Sequence, residues 1–409
     1  MAATRTIIVA GAGIGGLTAS LTLAARGFRV VILEKAERLE EAGAGLQLSP
    51  NASRVLVELG LKPRLGALAV TPDAINIMSA RAGGEIARLP LGEAASFRAG
   101  APYWVVHRAD LQAALLAEVN DNPDIDLRLG CQFEDVTGHA KGLTVVQRRG
   151  NARQQELAVA LIGADGIWSA VRNHLFPEVQ PQFSGLIAWR GTLDATALPR
   201  EYTSARVQLW MGPNAHLVAY PISGARQINV VAVVPGTWNR PGWNAAGDAN
   251  EIKNAFSSQW PATARMLVGA VDEWRRWALF TVPDHGEWSD GAIALLGDAA
   301  HAMLPFAAQG AGMAIEDAAV LAQVLSEGVL SEGVLSESAG ENIAAIPGAL
   351  KRYGRLRRAR VLQVQRAARR QGRIYHLTGP LAFARDLAIK AMGPQRMLAR
   401  QDWIYDWRA

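Results

Sequence analysis

The chain reads as an α/β protein: an α/β domain, discontinuous in sequence, carries an inserted β-rich domain and ends in helices. Three observations predict this. A strand–helix–strand unit with glycines at its first turn opens the chain. Short apolar strand runs return at Leu157–Ile162 and Ala292–Leu296. The stretch between them, Phe183 to Trp277, has a different character, rich in β-branched and aromatic residues with frequent Gly and Pro, as in an antiparallel sheet.

The opening unit justifies the first element. Thr6–Ala10 is a β run, Ile14–Arg26 has helical patterning, Gly27 stands where a helix ends, and Arg29–Leu33 is a second β run. Between strand and helix lies Gly11-Ala12-Gly13-Ile14-Gly15-Gly16. Gly11 permits the tight turn, Gly13 lets backbone approach a pyrophosphate, and Gly16 allows close helix–strand packing, with Gly15 beside them. The helix start presents N–H groups and a positive dipole end to phosphate. Glu34, 18 residues after Gly16 and followed by Lys35, ends the second strand and can accept hydrogen bonds from an adenosine ribose. This is a Rossmann-like dinucleotide site; FAD and NAD both remain open at this point.

The remaining elements follow in order. Gly83-Gly84 marks a hairpin turn, Arg108–Val119 is helical, and Asp126–Leu129 and Leu143–Arg148 are β runs. Arg206–Met211, His216–Pro221 and Ile228–Val234 are strands of the inserted sheet, and a long helix is expected from about Gly312. The Val-Leu-Ser-Glu-Gly units from Val324 to Glu337 are too short for a solenoid and are expected to be a duplicated surface loop or helix extension. After Pro347 the chain is helical and Arg-rich. The expected division is 1–72, 102–180 and 284–350 for the nucleotide domain, 73–101 and 181–283 for the β-rich domain, and 351–409 for the C-terminal helices.

Composition excludes several classes. At 409 residues and half apolar, the chain can bury a large core, and no apolar run reaches the length of a membrane span. No secretory leader pattern opens it, so the cytoplasm is expected. Cys131 is the sole cysteine and the seven histidines are scattered, which leaves no basis for a disulfide or a metal site. The net charge of +5 is modest; ten Lys/Arg between Lys351 and Arg373 with no acid are expected to form a solvated helix face, not a nucleic-acid site.

Two further motifs choose the cofactor. Leu161-Ile162-Gly163-Ala164-Asp165-Gly166 runs from strand to Asp-Gly, followed by Ser169 and Arg172. Ala294-Leu295-Leu296-Gly297-Asp298-Ala299-Ala300-His301 delivers Asp298 into a loop, and Gln309-Gly310-Ala311-Gly312 then starts a helix. Asp298 can bind a ribityl hydroxyl, and the helix start can stabilise negative charge at a flavin edge. With these three signatures in order along essentially the whole chain, the sequence resembles the single-component flavoprotein aromatic hydroxylases, the para-hydroxybenzoate and salicylate hydroxylase-like monooxygenases. The fold that follows is a discontinuous Rossmann-like FAD-binding domain with an inserted β-rich substrate domain.

The resemblance implies FAD as cofactor, NADH or NADPH and O2 as co-substrates, and transfer of one oxygen from a flavin C4a-hydroperoxide to an electron-rich ring. It also implies that Arg108 contacts the pyrophosphate, that Gly45-Leu46-Gln47 passes near the flavin, and that adenine lies near Phe133. Asp165, Gly166 and Arg172 share FAD and nicotinamide handling; Gln309, Gly310, Ala311 and Gly312 lie beside the flavin. Gly312 stands where relatives often have Asn. No thioredoxin-like extension follows the C-terminal helices, which points to the short members of the family, working as a monomer or homodimer.

For phenol activation the candidate base is His216, whose ordinary pKa suits it to take a phenolic proton. Tyr220 shares its parity along the strand and therefore its face. Trp189-Arg190-Gly191, Trp104, Gln47 and Pro305 are further candidates for the pocket wall, and His301 for shaping it. The implied substrate is a small phenolic or hydroxylated N-heteroaromatic acid. Alternatives are a larger non-acid aromatic or polyketide-type substrate, and a binding protein without redox work, as in the GDP-dissociation inhibitors of this fold.

Overall fold

Thr6–Ala10 is buried along its whole length, and its apolar, β-branched sequence is what a strand covered on both faces requires. It sits inside a six-stranded sheet ordered Ser289–Asp290, Ile293–Leu295, Ala160–Gly163, Thr6–Ala10, Arg29–Glu34 and Ile125–Leu129. All neighbouring pairs are parallel except the first. In this computed structural model the described residues are 5–39, 45–92, 96, 99–199, 204–240, 242–284, 286–330 and 343–409.

The helix Ile14–Ala24 is buried almost throughout, and its hydroxyls are satisfied within it. Thr18 Oγ1 donates to the Ile14 carbonyl at 2.7 Å and Ser20 Oγ to that of Gly16 at 2.8 Å, so polar residues occupy a dry interface without orphaned groups. The long helix Gly310–Leu330 packs on it, with Thr22 Oγ1 reaching the Ala318 carbonyl. It begins two residues before the expected start. It takes in the first units of the Val-Leu-Ser-Glu-Gly stretch; residues 331–342 lie outside the described residues.

The second sheet has eight strands, in the order Asn244–Gly247, Trp274–Thr281, Gln182–Asp194, Gln227–Pro235, Ala215–Ile222, Arg206–Gly212, Ala74–Ser79 and Gly84–Pro90. It is antiparallel apart from the pairing of Arg206–Gly212 with Ala74–Ser79. One face is covered by the helices Ala249–Ala255 and Ala262–Gly269 over a core of Trp189, Trp210, Leu217, Phe256, Trp260 and Trp274. The other face looks toward the parallel sheet.

A two-stranded ribbon, Gly45–Leu48 against Trp104–His107, bridges the sheets. The Gly45 N–H donates to Asn229 Oδ1 at 2.7 Å, and a Cβ on Gly45 would lie 2.5 Å from the Tyr220 ring. Only glycine permits that approach. The expected single strand over Leu157–Ile162 is two strands. Ala152–Ala158 closes a three-stranded meander with Cys131–His139 and Gly142–Arg149, and Ala160–Gly163 enters the parallel sheet. The chain changes sheets at Val159, whose N–H donates to the Thr6 carbonyl; apolar patterning on both sides hid the break. The C-terminal helices are Ile346–Tyr375 and Gly379–Ala399, the second kinked at Gly393-Pro394. Among the described residues no helix is long and apolar enough to cross a membrane.

Candidate active site and cofactor cleft

Two adjoining cavities of about 280 and 240 Å³ share Gly13, Ala164 and Gly166 in their walls. They form one trough between the sheets. Its narrow end is lined by Glu34, Lys35, Cys131, Phe133 and Asp165. Its wide end runs past Gly45, Leu46, Gln47 and Arg108 to Arg190, His216, Val218 and Tyr220, with Asp298, Pro305, Gly310 and Ala311 opposite.

The fingerprint glycines set the waist. Gly11 adopts φ +105°, and a Cβ there would come within 2.5 Å of the Ala164 carbonyl. A Cβ on Gly16 would fall on the Gly11 carbonyl oxygen. The helix that follows has Gly13 as N-cap and no side-chain cap, so its first N–H groups face the trough as an anion site. Glu34 accepts the N–H groups of Ala12 and Ala36, each at 2.8 Å, which pins the turn to the second strand.

Asp165 caps the helix Ala170–Leu175. It accepts from Ser169 Oγ at 2.5 Å, from the Ala170 N–H at 2.7 Å and from the Val171 N–H at 3.2 Å. Burial pushes its carboxyl up, against these bonds. Arg172 lies away from the trough, donating to the carbonyls of Val179, Ala299 and Ile167. It thereby ties the Asp-Gly loop to the segment carrying Asp298.

A buried polar network supports that segment. Asp317 accepts the Gly297 N–H at 3.0 Å and lies 2.6 Å from both His301 Nε2 and Arg357 Nε. Burial raises the Asp317 carboxyl, but His301 and Arg357 outweigh it and hold the group below its ordinary value. Glu316 takes Arg357, Arg360 and Asn51. Gly297, at φ +64°, then presents exposed Asp298 to the wide cavity.

The substrate-sheet wall follows from pleating. His216, Val218 and Tyr220 alternate onto the cavity face, as do Val231 and Val233 on the neighbouring strand and Arg190 beyond it. Parity therefore reverses the expectation for Trp189. It is 1% exposed on the opposite face, edge-on to Trp274 at 6.5 Å, and Arg190 holds the cavity side. The same alternation removes Trp104, which packs with Leu48 and Val106 in the core of the nucleotide domain. Its neighbour Tyr103 instead donates to Gln47 Oε1 at 2.7 Å.

The side chain of Gln309 likewise turns away from the cavity. Gln309 is buried, with Nε2 donating to Ser49 Oγ at 2.8 Å and Oε1 accepting from Asn51 Nδ2. Gly312 sits beside that amide, where a Cβ would meet it at 2.9 Å. Each residue turns a helix by about 100°, so Gly310 and Ala311 line the cavity and a side chain at 312 would point inward, while the Gly312 N–H, in the first turn, still points out of the helix start. His301, stacked on Trp288 at 4.9 Å and held by Asp317, does not line the cavity either.

His216 is 3% exposed. Its Nδ1 lies 2.8 Å from His376 Nε2, with Phe306 and Tyr375 packed against its ring. Burial, and then the neighbouring His376, push its pKa down to about 3; burial takes His376 to about 4. Both imidazoles are neutral at neutral pH. Arg190 stacks over Trp277 at 5.5 Å, its Nε buried without a partner. Among the described residues no carboxylate is paired with it. Met303, Leu296, Val218, Val231, Val233 and His376 were not singled out in the sequence. Val218 was legible from the parity of His216; Val231 and Val233 needed the register of the neighbouring strand, and nothing in sequence marked His376.

The donor set fits FAD: a long trough with a capless helix start at its waist, an acid at the ribose end and a glycine-rich helix start at the other. Sheet order and trough together define a flavin-dependent oxidoreductase of the aromatic hydroxylase type. Residues 4–368 match the family described as FAD binding domain, and the chain belongs to it. It is 34% identical over 401 residues to a 3-hydroxybenzoate 6-hydroxylase of Polaromonas naphthalenivorans, covering 98% of this chain and 96% of the relative. It is 37% identical over 406 residues to a 3-amino-4-hydroxybenzoate 2-monooxygenase of Streptomyces platensis, with the same coverage. A salicylate hydroxylase in substrate complex superposes with a TM-score of 0.80 at 25% identity, covering 99% of this chain and 96% of that one. The protein is an FAD-dependent aromatic monooxygenase.

Proposed function

We propose that the enzyme uses NAD(P)H and O2 to hydroxylate a small phenolic or hydroxylated N-heteroaromatic acid, in the cytoplasm and as a monomer or homodimer. The observation carrying this reading is Arg190 on the same sheet face as His216 and Tyr220. A half-buried guanidinium, its Nε buried and no carboxylate beside it among the described residues, is costly; a substrate carboxylate supplies a partner. With Nδ1 of His216 engaged by His376, Nε2 is the nitrogen left to take the proton of a ring hydroxyl, raising electron density in the ring. Tyr220, its hydroxyl pushed well above the ordinary phenol value by burial, stays protonated and orients the ring by donating a hydrogen bond. FAD, when bound, supplies the activated oxygen. Gly11 to Gly16 and Arg108 hold its pyrophosphate, Glu34, Lys35 and Phe133 its adenosine end, and Asp298, Gly310 and Ala311 its flavin end. We assign segments 1–72, 102–180 and 284–350 to cofactor binding, 73–101 and 181–283 to substrate, and 351–409 to the helical cover. The relatives support an aromatic acid, since 3-hydroxybenzoate, 3-amino-4-hydroxybenzoate and, for a Bordetella bronchiseptica relative, 6-hydroxynicotinate stand in their names.

The test offers these three acids and salicylate to the FAD-loaded enzyme with NADH or NADPH, alongside the same rings lacking the carboxylate, and follows product mass. One acid should gain a single oxygen. Arg190→Met should raise its KM roughly 10- to 100-fold and leave the decarboxylated ring unaffected. His216→Ala should lower kcat roughly 10²-fold or more with FAD retained. Faster turnover of the decarboxylated ring, or indifference to both substitutions, overturns the reading.

A further inference from the structure

We propose that His376 is a positioning residue that relays the substrate's proton between His216 and solvent; this rests on the reading of His216 as the base. The molecule contains an internal contrast. His301, deep in the fold, is bound to the carboxylate of Asp317 at 2.6 Å, a partner that cannot pass a proton onward through a second nitrogen. His216 has no carboxylate among the described residues. Its Nδ1 partner is another imidazole, His376 Nε2 at 2.8 Å, and an imidazole both accepts a proton on one nitrogen and releases one from the other.

The surroundings suit transfer in place of storage. Phe306 packs on both rings, at 5.3 Å from His216 and 5.8 Å from His376, and Tyr375 on His216. These rings, from the turn Pro305–Ala307 and the end of the helix Ile346–Tyr375, cover the 3%-exposed base on the side away from its own sheet. His376 is only half-buried, and the residues just beyond it, Thr378 to Pro380, are exposed. It is the C-cap of the 30-residue helix Ile346–Tyr375, where the helix dipole lowers the cost of a transient positive charge. Its carbonyl accepts the Asn214 N–H at 3.3 Å, which fixes the hairpin carrying His216 to the helix end. A base that burial keeps neutral cannot retain the proton it takes, so an exit is required.

The step balances. The phenol O–H breaks, its electron pair stays on oxygen, and an N–H bond forms at His216 Nε2. The His216 Nδ1–H breaks as an N–H bond forms at His376 Nε2, and the His376 Nδ1 proton passes to water. The reverse transfer, protonating the departing product, resets both rings.

Stopped-flow absorbance of phenolate formation, on mixing 3-hydroxybenzoate or salicylate with oxidised FAD-loaded enzyme, tests this. His376→Gln, which keeps a hydrogen-bonding amide but cannot relay, should slow phenolate formation about tenfold or more with unchanged FAD content. His376→Ala should be slowed equally and be restored by added imidazole in a concentration-dependent way, while the unaltered enzyme ignores imidazole. His216→Ala should be slow and not rescued through His376. Normal rates in His376→Gln with a slow His216→Ala overturn the relay alone, as does recovery by Gln without recovery by imidazole. Normal rates in His216→Ala overturn the base assignment on which it rests.

Discussion

The parallel sheet and the eight-stranded sheet meet across the same trough, yet they contribute to it by opposite means. The parallel sheet offers backbone: turns at Gly11 and Gly297, a capless helix start at Gly13, a second helix start at Gly310, and short acids at strand ends. The eight-stranded sheet offers side chains, His216, Tyr220 and Arg190, selected by pleat parity from among residues that otherwise build a tryptophan-rich core. A site made of backbone tolerates no side chain where its turns close on themselves, at Gly11 and Gly16. A site made of side chains is defined by which face each residue takes, and half of its residues are there for packing alone.

That difference can be broken from either side. The largest effect is expected from Gly16→Ala. Its Cβ would fall on the Gly11 carbonyl oxygen, and with no flexible atom to yield, the turn must open at a cost of roughly 3 kcal/mol or more. Flavin absorbance after purification should be largely lost; full flavin occupancy would show that the turn relaxes freely.

Trp189→Phe comes next. Because Trp189 faces the helices and Arg190 the trough, the change should cost roughly 1–3 kcal/mol of stability through lost packing while KM and flavin content stay unchanged. A KM increase as large as that of Arg190→Met would reverse the assignment of faces.

The smallest effect concerns pH. The folded chain holds His216 at about 3 and His376 at about 4, both below their ordinary 6.5. Between about pH 6.5 and these values the unfolded chain binds protons that the folded chain refuses. Their contribution to stability is therefore complete above about 6.5 and is lost as pH falls. His216→Asn should make the acid limb shallower by about 1 kcal/mol per pH unit, read from urea midpoints between pH 7 and 5. An unchanged slope would show that His216 is hydrated in the folded state.

The cofactor half was legible because its constraints are local. Gly11, Gly13, Gly16 and Glu34 lie within one βαβ unit, Asp165 and Asp298 each end a strand, and the chemistry needs those residue types at those spacings. Tyr220 was legible from the parity of His216. Trp189 and Trp104 were not legible as core residues, because aromatic side chains serve a core and a pocket equally well and only the pleat, set against their neighbours Arg190 and Tyr103, separates the two.

By itself the sequence determined the α/β class, the FAD-binding signatures and their order, and the strand carrying His216, since each is encoded over short distances by backbone geometry and apolar periodicity. Only the tertiary structure decided which face of the large sheet meets the flavin cleft, that Gln309 turns into a buried polar network, and that His376 arrives beside His216 from 160 residues away. Those outcomes depend on how distant layers pack, and packing of layers leaves no periodic trace in the chain.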